Sequence, residues 1–456
     1  MGIEFTALGS VEDIGAASYV IRFDGTNILL DAGIHPRKDN DESLPAFERA
    51  PIDYLDALLL SHAHLDHVGA LPVALRRFPH ARVLMSAASS FLAPLMLHHS
   101  AKLMERLQRE GRVRRRLFTT DDVDMISWIF QGMRSEAPFP IRSQDESGET
   151  IEATLFDAGH ILGACGIRLS GPSGTLFYTG DTSAHDQEIL PAARYPDEPV
   201  DVLISECTMG ADEEAEHRVW SGEEKRFAQA ISEVLLGGGS VLVPVFSLGR
   251  SQEMVALVHR FRDLGWVPDA EIYTAGFGNV VGSLYDRTAK ETRRRNPDLR
   301  LGELDVRQLP RPLDKGPHLR SPSIIIVSSG MMAQDTLSYR LAEIMLPRPR
   351  HGIFFVGYVD PEMPGHKVLT ATPRESLTLA PGTRPVAAKA RVERFHFTAH
   401  SNRQDLMDVV GRLQPKTVVL VHGEQEAAGW MHDQIGIRFP GTRVVRPGLC
   451  ETIQLV

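Results

Sequence analysis

Leu60-Ser61-His62-Ala63-His64-Leu65-Asp66-His67-Val68-Gly69 packs three imidazoles and a carboxylate into six consecutive positions, directly after the apolar run Ala57-Leu58-Leu59-Leu60. The run reads as a buried strand, so His62 and His64, two apart at its end, point to the same side and can grip one ion. Asp66 and His67 lead into a helix expected over Val68 to Phe78, which turns their side chains toward a second position beside the first. Neutral imidazole and carboxylate are ligands that zinc takes at about 2.0–2.2 Å, and two metals about 3.5–4 Å apart form a clamp suited to phosphodiester chemistry. The alternative, surface histidines ahead of a helix with Asp66 as its cap, does not account for that density of ligands.

Outward from this segment, polar residues recur at strand ends. Asn27-Ile28-Leu29-Leu30 runs into Asp31, Thr154-Leu155-Phe156 into Asp157-Ala158-Gly159-His160, and Thr175-Leu176-Phe177-Tyr178 into Thr179-Gly180-Asp181. Val202-Leu203-Ile204 leads to Glu206, Phe395-His396-Phe397 to Thr398-Ala399-His400, and Val418-Val419-Leu420-Val421 to His422. α/β folds place ligands at the carboxyl ends of strands, so these six ends can converge with the histidine-rich turn on one sheet edge.

Composition bounds the class. A chain of 456 residues with 43% hydrophobic and 24% charged residues is that of a globular enzyme with two lobes. No apolar run approaches the roughly 20 residues that cross a membrane, and no secretory signal opens the chain, so a cytoplasmic protein without membrane attachment is expected. Gly2 with Thr6 fits a myristoylation pattern, but Ile3 to Leu8 alternates as a first strand. Cys165, Cys207 and Cys450 form no C-x-x-C pair, which argues against a disulfide framework or thiolate zinc site.

The order of the pieces carries a resemblance. Asp31, then HAHLDH, His160 in AGHILGA and Asp181 in YTGD resemble the dinuclear hydrolases of the metallo-β-lactamase fold. Glu206 in ISECT, VPVFSLGRSQE, SSGMM, His400 in FTAHS and His422 in VHGE resemble its β-CASP branch, nucleases that include RNase J and the endonuclease of eukaryotic mRNA 3′-end formation. The resemblance implies an α/β protein, a metallo-β-lactamase αββα sandwich (residues 1–207 and 390–456) with an inserted β-CASP α/β domain (residues 208–389). It also explains why His400 and His422 come so late. Locally, Ser221 with Glu224 reads as a capping box opening a helix to Leu236, and Ala101 to Gly148 as an insertion within the first lobe. No further RNA-binding module is expected outside Met1 to Val456.

The resemblance also implies roles. One Zn2+ takes His62, His64 and His160, and the other takes Asp66, His67 and His422, with Asp181 bridging and a hydroxide completing both shells. Asp31 orients a ligand histidine, His400 protonates the leaving oxygen and Glu206 pairs with it. Ser247 and Arg250, with Ser328 and Ser329, are candidates to hold substrate phosphate. The implied function is hydrolysis of RNA, single-stranded, by internal cutting, with 5′-to-3′ trimming and a homodimeric state left open. A hydrolase of DNA or of a small phosphodiester or thioester, and an inactive scaffold, are the alternatives; the complete ligand set disfavours the scaffold, and His400 with Glu206 disfavours the small substrate.

Three departures from the family pattern fall near the substrate. Ser401-Asn402 stands where relatives often carry an acidic residue, SSGMM continues as Ala333-Gln334-Asp335, and Gly357-Tyr358 runs into Asp360-Pro361-Glu362. Thr208 to Lys389 holds 23 Lys and Arg against 22 Asp and Glu, leaving −11 for the rest of a chain whose net charge is −10. Within that stretch Arg287, Lys290, Arg293, Arg294, Arg295 and Arg300 form a basic cluster that reads either as a phosphate contact or as a solvated helix face.

Overall fold

Ala57–Leu60 is buried on both sides, which explains a strand without polar residues. Ala57 and Leu59 enter the space between two sheets, while Leu58 and Leu60 pack on an outer helix layer. Truncating Leu59 to alanine would cost about 2–5 kcal/mol. The computed structural model describes residues 2–145, 147–217 and 220–456.

Two seven-stranded sheets face each other across that core. The first runs Thr452–Gln454, Ile3–Ala7, Tyr19–Phe23, Thr26–Leu30, Ala57–Leu60, Arg82–Ser86 and Phe130–Met133. The second runs Arg443–Val445, Thr417–Val421, Val202–Glu206, Gly174–Tyr178, Cys165–Gly171, Ile151–Asp157 and Phe139–Ile141. Ala87–Arg109 covers the first sheet and Arg403–Leu413 with Gln425–Arg438 the second, completing the expected αββα layers. Thr417–Val421, Val202–Glu206 and Gly174–Tyr178 are mutually parallel, and Ile151–Asp157 shares their direction because two antiparallel pairings separate it from Gly174–Tyr178. Their carboxyl ends therefore share one rim.

The inserted lobe is built on a six-stranded, wholly parallel sheet. Val241–Pro244 lies between Ser323–Val327 and Gly352–Phe355, with helices on both faces. Its last strand, Arg391–Arg394, runs past Lys389. Leu248, Ala256, Val281 and Tyr285 of this lobe join the core beneath the first sheet, so the lobes share apolar packing.

Four local expectations are corrected. The helix over 68–78 is two, Leu65–Val68 and Leu71–Arg77, separated by Gly69-Ala70. Phe395 to Phe397 form no strand; the chain leaves the sheet after Arg394. Residues 101–148 are no excursion, because Phe130–Met133 and Phe139–Ile141 supply an edge strand to each sandwich sheet. Ser221 lies inside the helix Trp220–Leu236 rather than capping it, and residues 218 and 219 fall outside the described ones. Among the described residues no helix is long and apolar enough to cross a membrane.

Candidate metal centre

The ends of four strands, Ala57–Leu60, Ile151–Asp157, Gly174–Tyr178 and Thr417–Val421, and the short helix Leu65–Val68 bring seven side chains together at the rim. His62, His64, His160 and Asp181 form one group, and Asp66, His67 and His422 a second. His62 Nε2 and His160 Nε2 lie 3.2 and 3.1 Å from His64 Nδ1. His67 Nε2 lies 3.3 Å from His422 Nε2, which is 3.4 Å from Asp66 Oδ2. Asp181 spans the groups: Oδ2 is 3.6 Å from both His62 Nε2 and His160 Nε2, while Oδ1 is 3.4 Å from His67 Nε2 and 3.2 Å from His422 Nδ1, the ring nitrogen on the Thr208 side.

The outer nitrogens decide what these contacts are. His160 Nδ1 donates to the Ala399 carbonyl at 2.9 Å, His64 Nε2 to the Leu248 carbonyl at 3.3 Å and His67 Nδ1 to Asp31 Oδ2 at 2.8 Å. Ser61 Oγ gives its proton to Asp31 Oδ2 at 2.7 Å and so accepts from His62 Nδ1 at 3.1 Å. Thr208 Oγ1 likewise donates to the His422 carbonyl at 3.0 Å and accepts from His422 Nδ1 at 3.2 Å. Each neutral imidazole has one N–H, so the inward nitrogens of His62, His64, His160 and His422 carry lone pairs that face one another, and His67 Nε2 adds a fifth once its extra proton is displaced. That repels unless a cation lies between them. A tetrahedron's edge is about 1.6 times its bond length, so ligands at about 2.0–2.1 Å would stand about 3.3 Å apart, which matches the spacing here. Buried Asp181 Oδ1, without a hydrogen-bond partner, fits the same ligand role. The donor set fits two divalent cations.

Electrostatics agree. Burial, then neighbouring imidazoles, holds His62 and His160 well below the ordinary histidine pKa, which leaves them free to ligate. Burial also opposes charge on His67, but Asp181 and then Asp31 outweigh it and raise its pKa, so a proton competes with a cation there. For Asp66, burial alone would raise the carboxyl, and His422 and His67 more than reverse this.

Asp31 is fully buried and accepts from the Ser61 N–H, Ser61 Oγ, Tyr178 hydroxyl and His67 Nδ1, at 2.7 to 2.8 Å. It sits at φ 60°, which aspartate tolerates better than most residues. Gly33, two residues on, passes so close to the Asp66 carbonyl that a Cβ would overlap it at 1.6 Å. No other residue fits that approach.

His400 stands apart from the ligands. Its Nδ1 lies 3.0 Å from Glu206 Oε2, and Glu206 is itself anchored by the Thr182 N–H at 2.7 Å. Burial would lower the imidazole pKa, but Glu206 raises it to about 9. Its ring centroid is 4.6 Å from that of His160, beside the first group. Asn402 caps Arg403–Leu413 by accepting from Gln404 and Asp405 N–H. Ser401 Oγ accepts from Ala184 N–H at 2.9 Å, tying the His400 loop to the Asp181 loop.

The substrate candidates are placed less uniformly. Ser247 lies on the loop whose Leu248 carbonyl reaches His64. Arg250 begins the helix Arg250–Asp263 but is buried, with its guanidinium on the Gln187 side chain. Ser329 Oγ accepts from Ala333 N–H at 2.8 Å, and the Ser328 carbonyl accepts from Ser338 N–H, so both help form the turn before Leu337–Met345. The basic cluster is largely turned onto protein. Arg293 reaches the Ala192 carbonyl and Asp157, Arg294 the Tyr285 carbonyl, Arg295 the Gln187 carbonyl and Arg300 that of Pro297. Nor is it a helix face, since Phe277–Arg287 ends at its first member. Sequence reasoning missed Ser61, Tyr178, Thr208 and the Leu248 and Ala399 carbonyls. The three side chains stand inside quoted motifs, but a backbone carbonyl leaves no mark in sequence.

With this geometry in hand, comparison with known proteins is informative. A model of the metallo-beta-lactamase superfamily matches residues 12–225, the Beta-Casp domain residues 251–368, and the Zn-dependent metallo-hydrolase RNA specificity domain residues 385–446. Fold and site thus define a protein of the metallo-β-lactamase type, its sandwich interrupted by a second lobe. The chain is 29% identical over 461 residues to "Endoribonuclease ysh1" of Schizosaccharomyces pombe, covering 97% of this chain and 57% of that protein. It is 28% identical to "Cleavage and polyadenylation specificity factor 73" of Drosophila melanogaster, covering 93% and 60%, and 25% identical to "Integrator complex subunit 11" of Danio rerio, covering 96% and 72%. It belongs to the β-CASP family of the metallo-β-lactamase superfamily. The first listed relatives extend well beyond it, the chain spanning less than two thirds of their length. A crystal structure of a protein of unknown function from Enterococcus faecalis V583 shares the fold, with TM-score 0.57, 14% identity and coverage of 99% of this chain and 100% of that one.

Proposed function

We propose that this protein hydrolyses phosphodiester bonds of single-stranded RNA by internal cutting, using two Zn2+ ions in the cytoplasm. The observation that carries the reading is the juxtaposition of five inward-facing imidazole nitrogens and a bridging carboxylate with a separate imidazole–carboxylate pair, His400 and Glu206. The first arrangement suits cations; the second suits proton transfer.

His62, His64 and His160 would hold one ion and Asp66, His67 and His422 the other, shared through Asp181. Bound there, the cations supply Lewis acidity, lowering the pKa of a water from about 15.7 toward about 7 and offsetting charge on the phosphoryl group. Asp31 keeps His67 in the tautomer whose Nε2 faces inward, and through Ser61 it does the same for His62. Glu206 holds His400 protonated at neutral pH, with the ring's other nitrogen free to give a proton to the leaving 3′-oxygen. RNA as substrate is supported by the endoribonuclease names of the relatives and by the matched RNA specificity domain. Trimming from a 5′ end at the same site is a second mode of the proposal.

The test is a digest of end-labelled linear RNA, circular RNA and matched single-stranded DNA, with and without chelator. Chelator-sensitive opening of the RNA circle with little effect on DNA is expected. Resistance of the circle while linear RNA is degraded would reject internal cutting, and preference for DNA would reject the substrate class.

A further inference from the structure

The carboxyl edge of the inserted sheet presents two aromatic side chains that neither core absorbs. Phe246 is 36% exposed and Tyr358 46%. The other exposed aromatics among the described residues lie elsewhere: Phe91 beside Arg287, Trp266 stacked on Phe261, and Trp128 after the outer helix Thr120–Ser127.

Each residue is linked to a different ligand group of the metal centre. Phe246 follows Val241–Pro244 and lies two residues before Leu248, whose carbonyl is 3.3 Å from His64 Nε2 in the first ligand group. Tyr358 follows Gly352–Phe355 on the neighbouring strand, and its phenol lies in the field of Asp360, Glu424, Arg37 and Arg394. Arg37 Nη1 sits 3.6 Å from Asp360 and 3.8 Å from Glu424, and Glu424 comes two residues after His422 in the second group. One aromatic thus adjoins each ligand group.

The backbone around Phe246 is bare. A Cβ at Gly330 would lie 3.2 Å from Phe246 Cδ2, and one at Gly357 would lie 4.0 Å from Cε2. These glycines belong to the loops after the two strands flanking Val241–Pro244. The ring rests on main chain, and no side chain from either glycine covers it. Gly357 also joins the two aromatics, since it precedes Tyr358.

We infer that Phe246 and Tyr358 are base-stacking residues, each taking a nucleobase of single-stranded RNA, one on either side of the phosphodiester at the metal centre. This rests on the ribonuclease reading above. Aromatic rings accept the π-face of any base, so the pair confers grip without sequence preference. It also demands unpaired bases, because a base within a duplex has both faces occupied by its neighbours. The arrangement supplies a hold on the strand that the basic cluster, turned onto protein, does not.

A short RNA cut at one mapped bond tests this, alongside the same RNA with an abasic ribose at the nucleotide on one or the other side of the cut. Phe246→Ala and Tyr358→Ala should each lower kcat/KM on intact RNA by about ten-fold to a hundred-fold, mainly through KM. Each should lose little further on the RNA lacking the base it stacks. Phe246→Tyr and Tyr358→Phe keep a ring and should retain parental cleavage. Equal losses on intact and abasic RNA, or no rescue by the ring-retaining variants, would overturn the inference. If the unsubstituted protein cuts intact and abasic RNA equally well, the ribonuclease reading stands and the stacking inference falls. If it cuts neither, both fall.

Discussion

Replacing Asp31 by asparagine changes one atom and tests the logic of the whole centre. The carboxylate receives four donors, one on Oδ1 and three on Oδ2. If the amide nitrogen takes the Oδ1 place, it meets the Ser61 N–H donor to donor, and a neutral oxygen with two lone pairs faces three donors. If it takes the Oδ2 place, it faces His67 Nδ1, and the imidazole must move its proton to Nε2, the nitrogen 3.3 Å from His422. At least two hydrogen bonds to a charged acceptor are lost either way, at about 1.5–3 kcal/mol each, so about 3–6 kcal/mol in total. Weaker metal binding of about 10–100-fold takes up to about 2.7 kcal/mol of this, and the remainder lowers the stability of the metal-free fold. Competition with a chromophoric chelator reads the first quantity and chemical denaturation of the metal-free protein the second. A variant that binds two ions with parental affinity would refute the assignment of Asp31 as the group that sets the His67 tautomer.

Elemental analysis of purified protein should find about two zinc ions per chain; one ion, or iron or manganese instead, would defeat the dinuclear zinc proposal. His400→Ala should keep both ions yet lower turnover by about 10²–10⁴-fold, whereas loss of metal would make His400 a ligand. Glu206 raises the His400 pKa to about 9, so the proton to be donated is present below that value and is lost as pH rises through it. The alkaline limb of the rate profile should therefore lie near pH 9, and Glu206→Gln should shift it to lower pH; an unmoved limb would place the titration on another group. Arg293→Ala and Arg295→Ala should leave the salt dependence of RNA binding unchanged, because both side chains are turned onto protein; a shallower slope would restore them as phosphate contacts.

Much of the centre was legible in the chain because its densest part is local. In HAHLDH a strand end and a short helix bring four candidate ligands together within six positions, and strand periodicity puts His62 and His64 on one side. Five of the six expected strand-end motifs were readable for the same reason, since an apolar run followed by a polar residue marks a place where chain leaves a buried sheet; Phe395 to Phe397 was not, because the strand ends at Arg394. The helix expected over 68–78 broke at Gly69-Ala70, since packing against Ala32, which accepts the Ala70 N–H, overrode the apolar periodicity.

What sequence by itself determined, then, was the inventory: which side chains can ligate, which can carry a proton, and that most of them follow an apolar strand. Tertiary structure alone decided their partners. His400 meets Glu206 across 194 positions and His67 meets His422 across 355, contacts that depend on how distant strands and sheets pack together. Only the folded chain aims the Leu248 and Ala399 carbonyls at ligand histidines, turns the basic cluster onto protein and leaves Phe246 and Tyr358 open. The physical reason is that residue type sets what a group can do, whereas hydrogen-bond direction, tautomer and exposure belong to the surroundings that folding creates.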